Sequence, residues 1–143
     1  MRYYLDIDGT IITKDRHEAD GLFEFLSFIL DTGEVFWLTT HCREEDTMHV
    51  LMHLKRSLHP MNYELVTRIR GTRWQTLKTE AINFSQAFIW FDDYLLEAEK
   101  IVLKEQGCLE NWIAIDLPRF GNNVCRAINE TSAMTIPMKS SSM

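Results

Sequence analysis

Four compact apolar runs, separated by stretches of helical periodicity, constrain this chain more than any other feature. They are Tyr3-Tyr4-Leu5, Val35-Phe36-Trp37-Leu38, Ala87-Phe88-Ile89-Trp90-Phe91 and Trp112-Ile113-Ala114-Ile115. Each is too short for a helix and rich in aromatic or β-branched residues, as a strand buried on both faces requires. Between them, Glu18 to Leu30 carries Leu22, Phe25, Leu26 and Ile29 at helical spacing, and Asp31-Thr32-Gly33 closes it. Glu44 to Leu58 places Met48, Leu51, Met52 and Leu58 on one helical face, with Pro60 as a stop. Trp74 to Ile82 reads as a short helix, and Leu95 to Gln106 as a helix ended by Gly107. Tyr63-Glu64-Leu65-Val66 fits a short strand, while Gly121 to Thr135 fits either a last helix or a loose end. Strands alternating with helices predict an α/β fold: a three-layer, Rossmann-like parallel sheet with helices on both faces.

The chain of 143 residues has the size of one domain, expected over residues 1–135, with a flexible tail over 136–143 where Lys139-Ser140-Ser141-Ser142 follows Met138. A net charge of −6 argues against general nucleic-acid binding, because phosphate backbones attract basic surfaces. No apolar run is long enough to span a membrane, and Met1-Arg2-Tyr3 opens without the basic and apolar stretch of an export signal, so export is not expected. Three cysteines, Cys42, Cys108 and Cys125, are odd in number and lack a CxxC, so neither a disulfide scaffold nor a zinc ribbon is expected. The expected setting is the reducing cytoplasm.

The residues at the strand ends carry the chemistry. Ligands of open parallel sheets bind at the carboxyl ends of the strands. The first run ends in Asp6-Ile7-Asp8-Gly9-Thr10, the second in Thr39-Thr40-His41 and the third in Asp92-Asp93. Singly, each acid would serve as a turn former or helix cap. Together, four carboxylates at one sheet edge repel one another, and a hard divalent cation such as Mg²⁺ relieves that repulsion. A carboxylate beside such an ion can attack phosphorus, and a second one two residues on can carry the proton.

These residues resemble the motifs of the haloacid dehalogenase superfamily, which consists mostly of phosphatases and phosphotransferases. Asp6-Ile7-Asp8-Gly9-Thr10 is similar to its first motif, Val35 to Thr39 to its second, Lys78 to its third, and Phe88 to Asp93 to its fourth. The resemblance implies Asp6 as nucleophile and Asp8 as acid/base, with the Asp8 carbonyl on the metal. It further implies that Thr39, Thr40 and Lys78 hold the phosphate and that Asp92 or Asp93 completes the Mg²⁺ shell. Glu97 fits the family's trailing acid. About thirty residues separate Asp8 from Thr39, and a similar stretch separates Thr39 from Lys78, so neither gap holds a cap domain. The resemblance is to the capless branch, whose open sites accept macromolecular as well as small phosphorylated substrates.

The expected activity is therefore Mg²⁺-dependent phosphomonoester hydrolysis through an aspartyl-phosphate. A narrower version is a polynucleotide end-processing phosphatase, because Arg68-Ile69-Arg70-Gly71-Thr72-Arg73-Trp74 is basic and Trp74 offers a stacking face. Arg70, Arg73 and His41 are the candidate substrate contacts. A silent phosphate- or metal-binding module is the remoter alternative. A phosphorylation-controlled receiver is disfavoured by motif order, since Lys78 precedes the acid pair at Asp92. His49 and His53 have metal-site spacing but lack a third ligand in sequence, so an exposed helix face is expected there. Cys42, without an oriented base, is not expected to be a nucleophile.

Overall fold

The computed structural model describes residues 1–141, with side chains through residue 133. The strands are β1 (Arg2–Leu5), β2 (Glu34–Trp37), β3 (Phe88–Asp92) and β4 (Trp112–Ala114). The helices are α1 (Leu22–Thr32), α2 (Met48–Leu54), α3 (Pro60–Val66), α4 (Glu97–Glu105) and α5 (Arg126–Ser141). All strand pairs are parallel, in the order β2-β1-β3-β4. In register, Tyr3 lies between Val35 and Ile89, and Leu5 between Trp37 and Phe91.

The pleat sends alternate side chains to opposite faces, which sorts the aromatic-rich strands into two cores. Tyr3, Leu5, Val35, Trp37, Ile89 and Phe91 pack on one side against α1, α2, α3 and the start of α5. Tyr4, Phe36, Phe88 and Trp90 pack on the other against Leu103 of α4, Trp74 and Ile82. The architecture is thus α/β in three layers, as expected. Between β1 and β2 the chain holds α1, and between β2 and β3 it holds α2, α3 and one 3-10 turn at Lys78–Ala81. Neither crossover contains a further domain. The chain leaves β1 for β2 on one side and returns to β3 on the other, so the crevice at this switch of direction opens between the carboxyl ends of β1 and β3.

Several segments differ from expectation. Tyr63 to Val66 is helical. Pro60 does not merely stop the preceding helix but starts α3 from its first turn, where a missing N–H is harmless. The His59 ring accepts from the Met61 N–H at 3.2 Å, and Glu18 accepts from the His59 N–H at 2.7 Å and from the Asn62 amide at 3.1 Å. The helix expected from Glu44 shortens to α2, because the Asp46 carboxylate accepts from the Met48 N–H at 2.9 Å and sets the start there. Trp74 to Ile82 forms only the single turn. The Glu80 carboxylate draws in the N–H groups of Gln75 (3.0 Å), Thr76 and Leu77 (2.8 Å), holding the preceding chain non-helical.

The basic segment is docked along β2. Trp37 N–H donates to the Arg70 carbonyl at 2.7 Å, Arg70 N–H to Val35 at 3.0 Å, and the Thr72 hydroxyl to the Trp37 carbonyl at 2.7 Å. Helix α5 extends over most of the segment read as a tail, and residues 142–143 lie outside the described residues. Among the described residues, no helix is long and apolar enough to cross a membrane.

Candidate active site

The loop after β1 is wound into a tight turn. The Ile7 carbonyl accepts from the N–H groups of Thr10 (3.1 Å), Ile11 (2.9 Å) and Ile12 (3.2 Å), which turns Asp6 and Asp8 toward the crevice end of the sheet. Gly9 makes the turn possible. Its φ is +80°, and a Cβ there would overlap the Asp93 carboxylate. A cavity of ≈ 400 Å³ opens at this point, lined by Asp6, Asp8, Thr40, Lys78, Asp92 and Asp93 among others.

Lys78 is the centre of the charge arrangement. Its ammonium donates to Asp92 Oδ2 at 2.7 Å and to Asp6 Oδ1 at 3.2 Å. The side chains of Asp6 and Asp92 are only 9% and 2% exposed, so water screens little of this interaction. Burial, followed by the Asp6 charge, pushes the Asp92 carboxyl up to about 8 despite Lys78. Asp6 is also raised, chiefly by burial, with Lys78 pulling the other way. Burial disfavours the Lys78 ammonium, yet Asp6 and Asp92 outweigh it and hold Lys78 above its ordinary value. At neutral pH the raised Asp92 carboxyl therefore holds a proton, and only when it ionises does one ammonium between two buried carboxylates leave an excess negative charge.

Asp93 stands beside this pair. Asp6, Asp92 and Asp93 each offer a carboxylate oxygen within 4.8 Å of the others. An all-oxygen donor set with excess negative charge fits a hard divalent cation such as Mg²⁺. Both acids of the pair reach the site in different ways. Asp92 is buried on Lys78, and its other oxygen accepts from the Tyr94 N–H at 3.2 Å, whereas Asp93 is exposed.

Asp8 points to different partners. His41 Nε2 lies 2.7 Å from its Oδ2 and His53 Nε2 3.6 Å from its Oδ1. The two imidazoles stack with ring centroids 4.0 Å apart. Burial would raise the Asp8 carboxyl, but the hydrogen bond and charge of His41, with a lesser pull from His53, bring it below its ordinary value. Burial and the neighbouring His41 hold His53 below its ordinary value as well.

The other expected residues divide between the cavity and elsewhere. Thr40 lines the cavity, whereas Thr39 is buried and its hydroxyl accepts from the His41 N–H at 3.3 Å. Glu97 is exposed and lines another depression, with Lys100 and Trp112. Arg70 and Arg73 line a groove of ≈ 590 Å³ together with Arg2, and it shares no residue with the site cavity. Arg70 instead meets Glu34 at 3.4 Å. Trp74 lines the site cavity and not the arginine groove, with little of its ring exposed. It is buried, donates to the Cys42 carbonyl at 3.2 Å and is covered by the Arg43 guanidinium at 4.5 Å. Burial raises the Cys42 thiol, which suits a packed residue and not a nucleophile.

Sequence reasoning missed four contributors. Thr10, fully buried, donates to Asp6 Oδ2 at 3.3 Å. Arg43 lines the cavity, and nothing in its sequence position marks it. Glu99, only 2% exposed, accepts from the Lys78 N–H at 2.9 Å and from the Leu96 N–H at 3.1 Å. An acid three residues past Leu96, at the start of a helical stretch, is the signal that pointed to a capping role. His53 escaped because its spacing suggested a partner on its own helix. Neither a protein-family model, nor a curated protein, nor a solved structure matches the chain.

Proposed function

We propose that the chain is a phosphohydrolase that transfers a phosphoryl group to Asp6 and then to water, with Mg²⁺ as its cofactor. The observation that carries this reading is the Asp6–Lys78–Asp92 arrangement beside Asp8 and Asp93, gathered at the switch point of the sheet. The carboxylates of Asp6, Asp92 and Asp93 and the carbonyl of Asp8 would hold Mg²⁺. When bound, the ion neutralises the charge of the phosphoryl group and of the acids around it.

The residues of the chain divide the remaining work. Thr10 and Lys78 hold the Asp6 carboxylate, so an oxygen of Asp6 can form the new bond to phosphorus as the bond to the leaving oxygen breaks. The proton for the leaving oxygen comes from the hydrogen-bonded Asp8–His41 pair. Deprotonated afterwards, the same pair accepts a proton from water as water attacks the aspartyl-phosphate. The Asp6–phosphorus bond breaks, inorganic phosphate leaves, and Asp6 is regenerated. Lys78 and the Thr40 hydroxyl supply hydrogen bonds to the phosphoryl oxygens. A neighbouring cavity of ≈ 630 Å³, sharing Asp93 and lined by Lys14, Asp116 and Asn122, gives a leaving group room beside the site.

The test is Mg²⁺-dependent phosphate release from an aryl phosphate by wild type and Asp6→Asn. Turnover that needs both Mg²⁺ and Asp6 supports the mechanism, and normal turnover by Asp6→Asn removes it. A polynucleotide substrate is the second reading, carried by the groove containing Arg2, Arg70 and Arg73. It predicts preference for phosphorylated oligonucleotides that weakens in Arg70→Ala; indifference to strand length counts against it.

A further inference from the structure

The Asp8–His41–His53 cluster has more ligating capacity than a proton-carrying pair needs. Its three donors come from three separate segments: the loop after β1, the turn after β2, and α2. Their ligand atoms lie within 4.8 Å of one another, with Asp8 at 2.7 Å from His41 and 3.6 Å from His53. His53 lies beyond hydrogen-bond range of the carboxylate, yet its Nε2 faces it, and its ring lies flat on His41 at 22° between planes. Two Nε2 atoms therefore meet one carboxylate, each at a different oxygen.

From this geometry we propose that Asp8, His41 and His53 form a second cation site, distinct from the acidic centre, that takes a borderline divalent transition ion of the Zn²⁺ class. Two imidazole nitrogens and one carboxylate oxygen suit such an ion and do not suit Mg²⁺, which prefers oxygen. Ligand atoms ~2.1 Å from a tetrahedral ion stand roughly 3.4 Å apart. The His53 Nε2–Oδ1 spacing matches that value, while His41 Nε2 sits on the other oxygen, Oδ2, at 2.7 Å and has to turn off it onto the shared ion. Asp8 and His41 are 55% and 30% exposed at their side chains, which leaves a path for the ion and a fourth position for water. Ion binding itself does not depend on the phosphatase reading. Its consequence does: an ion on the Asp8 carboxylate removes that residue from proton transfer, so Zn²⁺ inhibits turnover.

The experiment uses the full chain with excess Mg²⁺ present, so that the acidic centre is saturated, and titrates Co²⁺ as a spectroscopic probe. Four-coordinate Co²⁺ shows intense visible d–d bands, and their appearance and displacement by Zn²⁺ report the site without any turnover. We expect one Co²⁺ per chain, displaced by Zn²⁺. Affinity should fall at least about tenfold in His53→Gln and in His41→Gln, the lower end of what disturbing a metal site costs. Asp92→Asn and His49→Gln, which leave the three donors intact, should bind as wild type does. Absence of the bands overturns the proposal. So do bands that survive both His41→Gln and His53→Gln, or that vanish only in Asp92→Asn. A loss in His49→Gln equal to that in His53→Gln also overturns it, since the ion would then be chelated along α2. Circular dichroism of each variant confirms that a lost signal is not a lost fold.

Discussion

Replacing Asp92 by Asn tests the electrostatic account of the site without any substrate. In the folded protein burial and Asp6 push the Asp92 carboxyl to about 8, whereas in the unfolded chain it returns to 3.8. The folded chain therefore holds this proton more tightly than the unfolded chain does. Wild-type stability falls as pH rises from about 4 toward 8, and the loss is complete above that range. At roughly 1.4 kcal/mol per tenfold change in proton affinity, the full effect is bounded at about 6 kcal/mol. Asn keeps the hydrogen bond from the Tyr94 N–H and cannot ionise, so it lacks this pH dependence; the attraction of Lys78 is already contained in the wild-type value. We therefore expect Asp92→Asn to gain on wild type by about 4 kcal/mol between pH 5 and pH 8, three pH units at roughly 1.4 kcal/mol each. Urea unfolding in the presence of a chelator, followed at several pH values, measures the difference directly. A difference that stays constant with pH, or that favours wild type more strongly at pH 8, refutes the reasoning. Added Mg²⁺ should then stabilise wild type at pH 8 and the variant much less, by mass action on the folded state.

Three further outcomes are expected. Gly9→Ala forces a side chain into a left-handed conformation and against Asp93, so the unfolding free energy measured in urea should fall by about 1–3 kcal/mol and the Mg²⁺ needed for half-maximal turnover should rise. Glu99→Ala strands the half-buried N–H groups of Lys78 and Leu96; a loss of about 1–3 kcal/mol in denaturant unfolding is expected, and no loss would show that water replaces the carboxylate. His41→Asn removes the partner that holds Asp8 low, so the limb of the kcat/KM profile governed by Asp8 should move to higher pH, and an unmoved limb would assign it to another group.

The strands were legible because burial on both faces leaves no room for polar residues, and Tyr3 to Leu5, Val35 to Leu38 and Phe88 to Phe91 show it. The region from Pro60 to Ile82 was not. A four-residue stretch such as Tyr63 to Val66 fits strand and helix periods alike, and the carboxylates of Glu18 and Glu80, each reaching backbone N–H groups, decided the outcome. At the site, Asp6, Asp8, Lys78, Asp92 and Asp93 could be read because each lies at or near the end of a recognisable strand or follows a spacing pattern. Their neighbours Thr10, Arg43, His53 and Glu99 depend on how separate segments meet. His53 illustrates the limit, since its partner Asp8 lies on the loop after β1 while the sequence offered His49 one turn away.

The docking of Arg70 and Thr72 along β2 has a consequence for the chain before it is fully folded. Until residues 69–72 arrive, Val35, Phe36 and Trp37 present an open row of backbone donors and acceptors beside large apolar side chains, a template on which a second chain can aggregate. During synthesis β2 emerges more than thirty residues ahead of Arg70, so that hazard precedes its remedy. Glu34 and Arg70, charged residues at the rim of this contact, act as gatekeepers against mispairing. The mark of the basic segment is thus to be sought in refolding yield at high protein concentration, where it separates productive folding from precipitation.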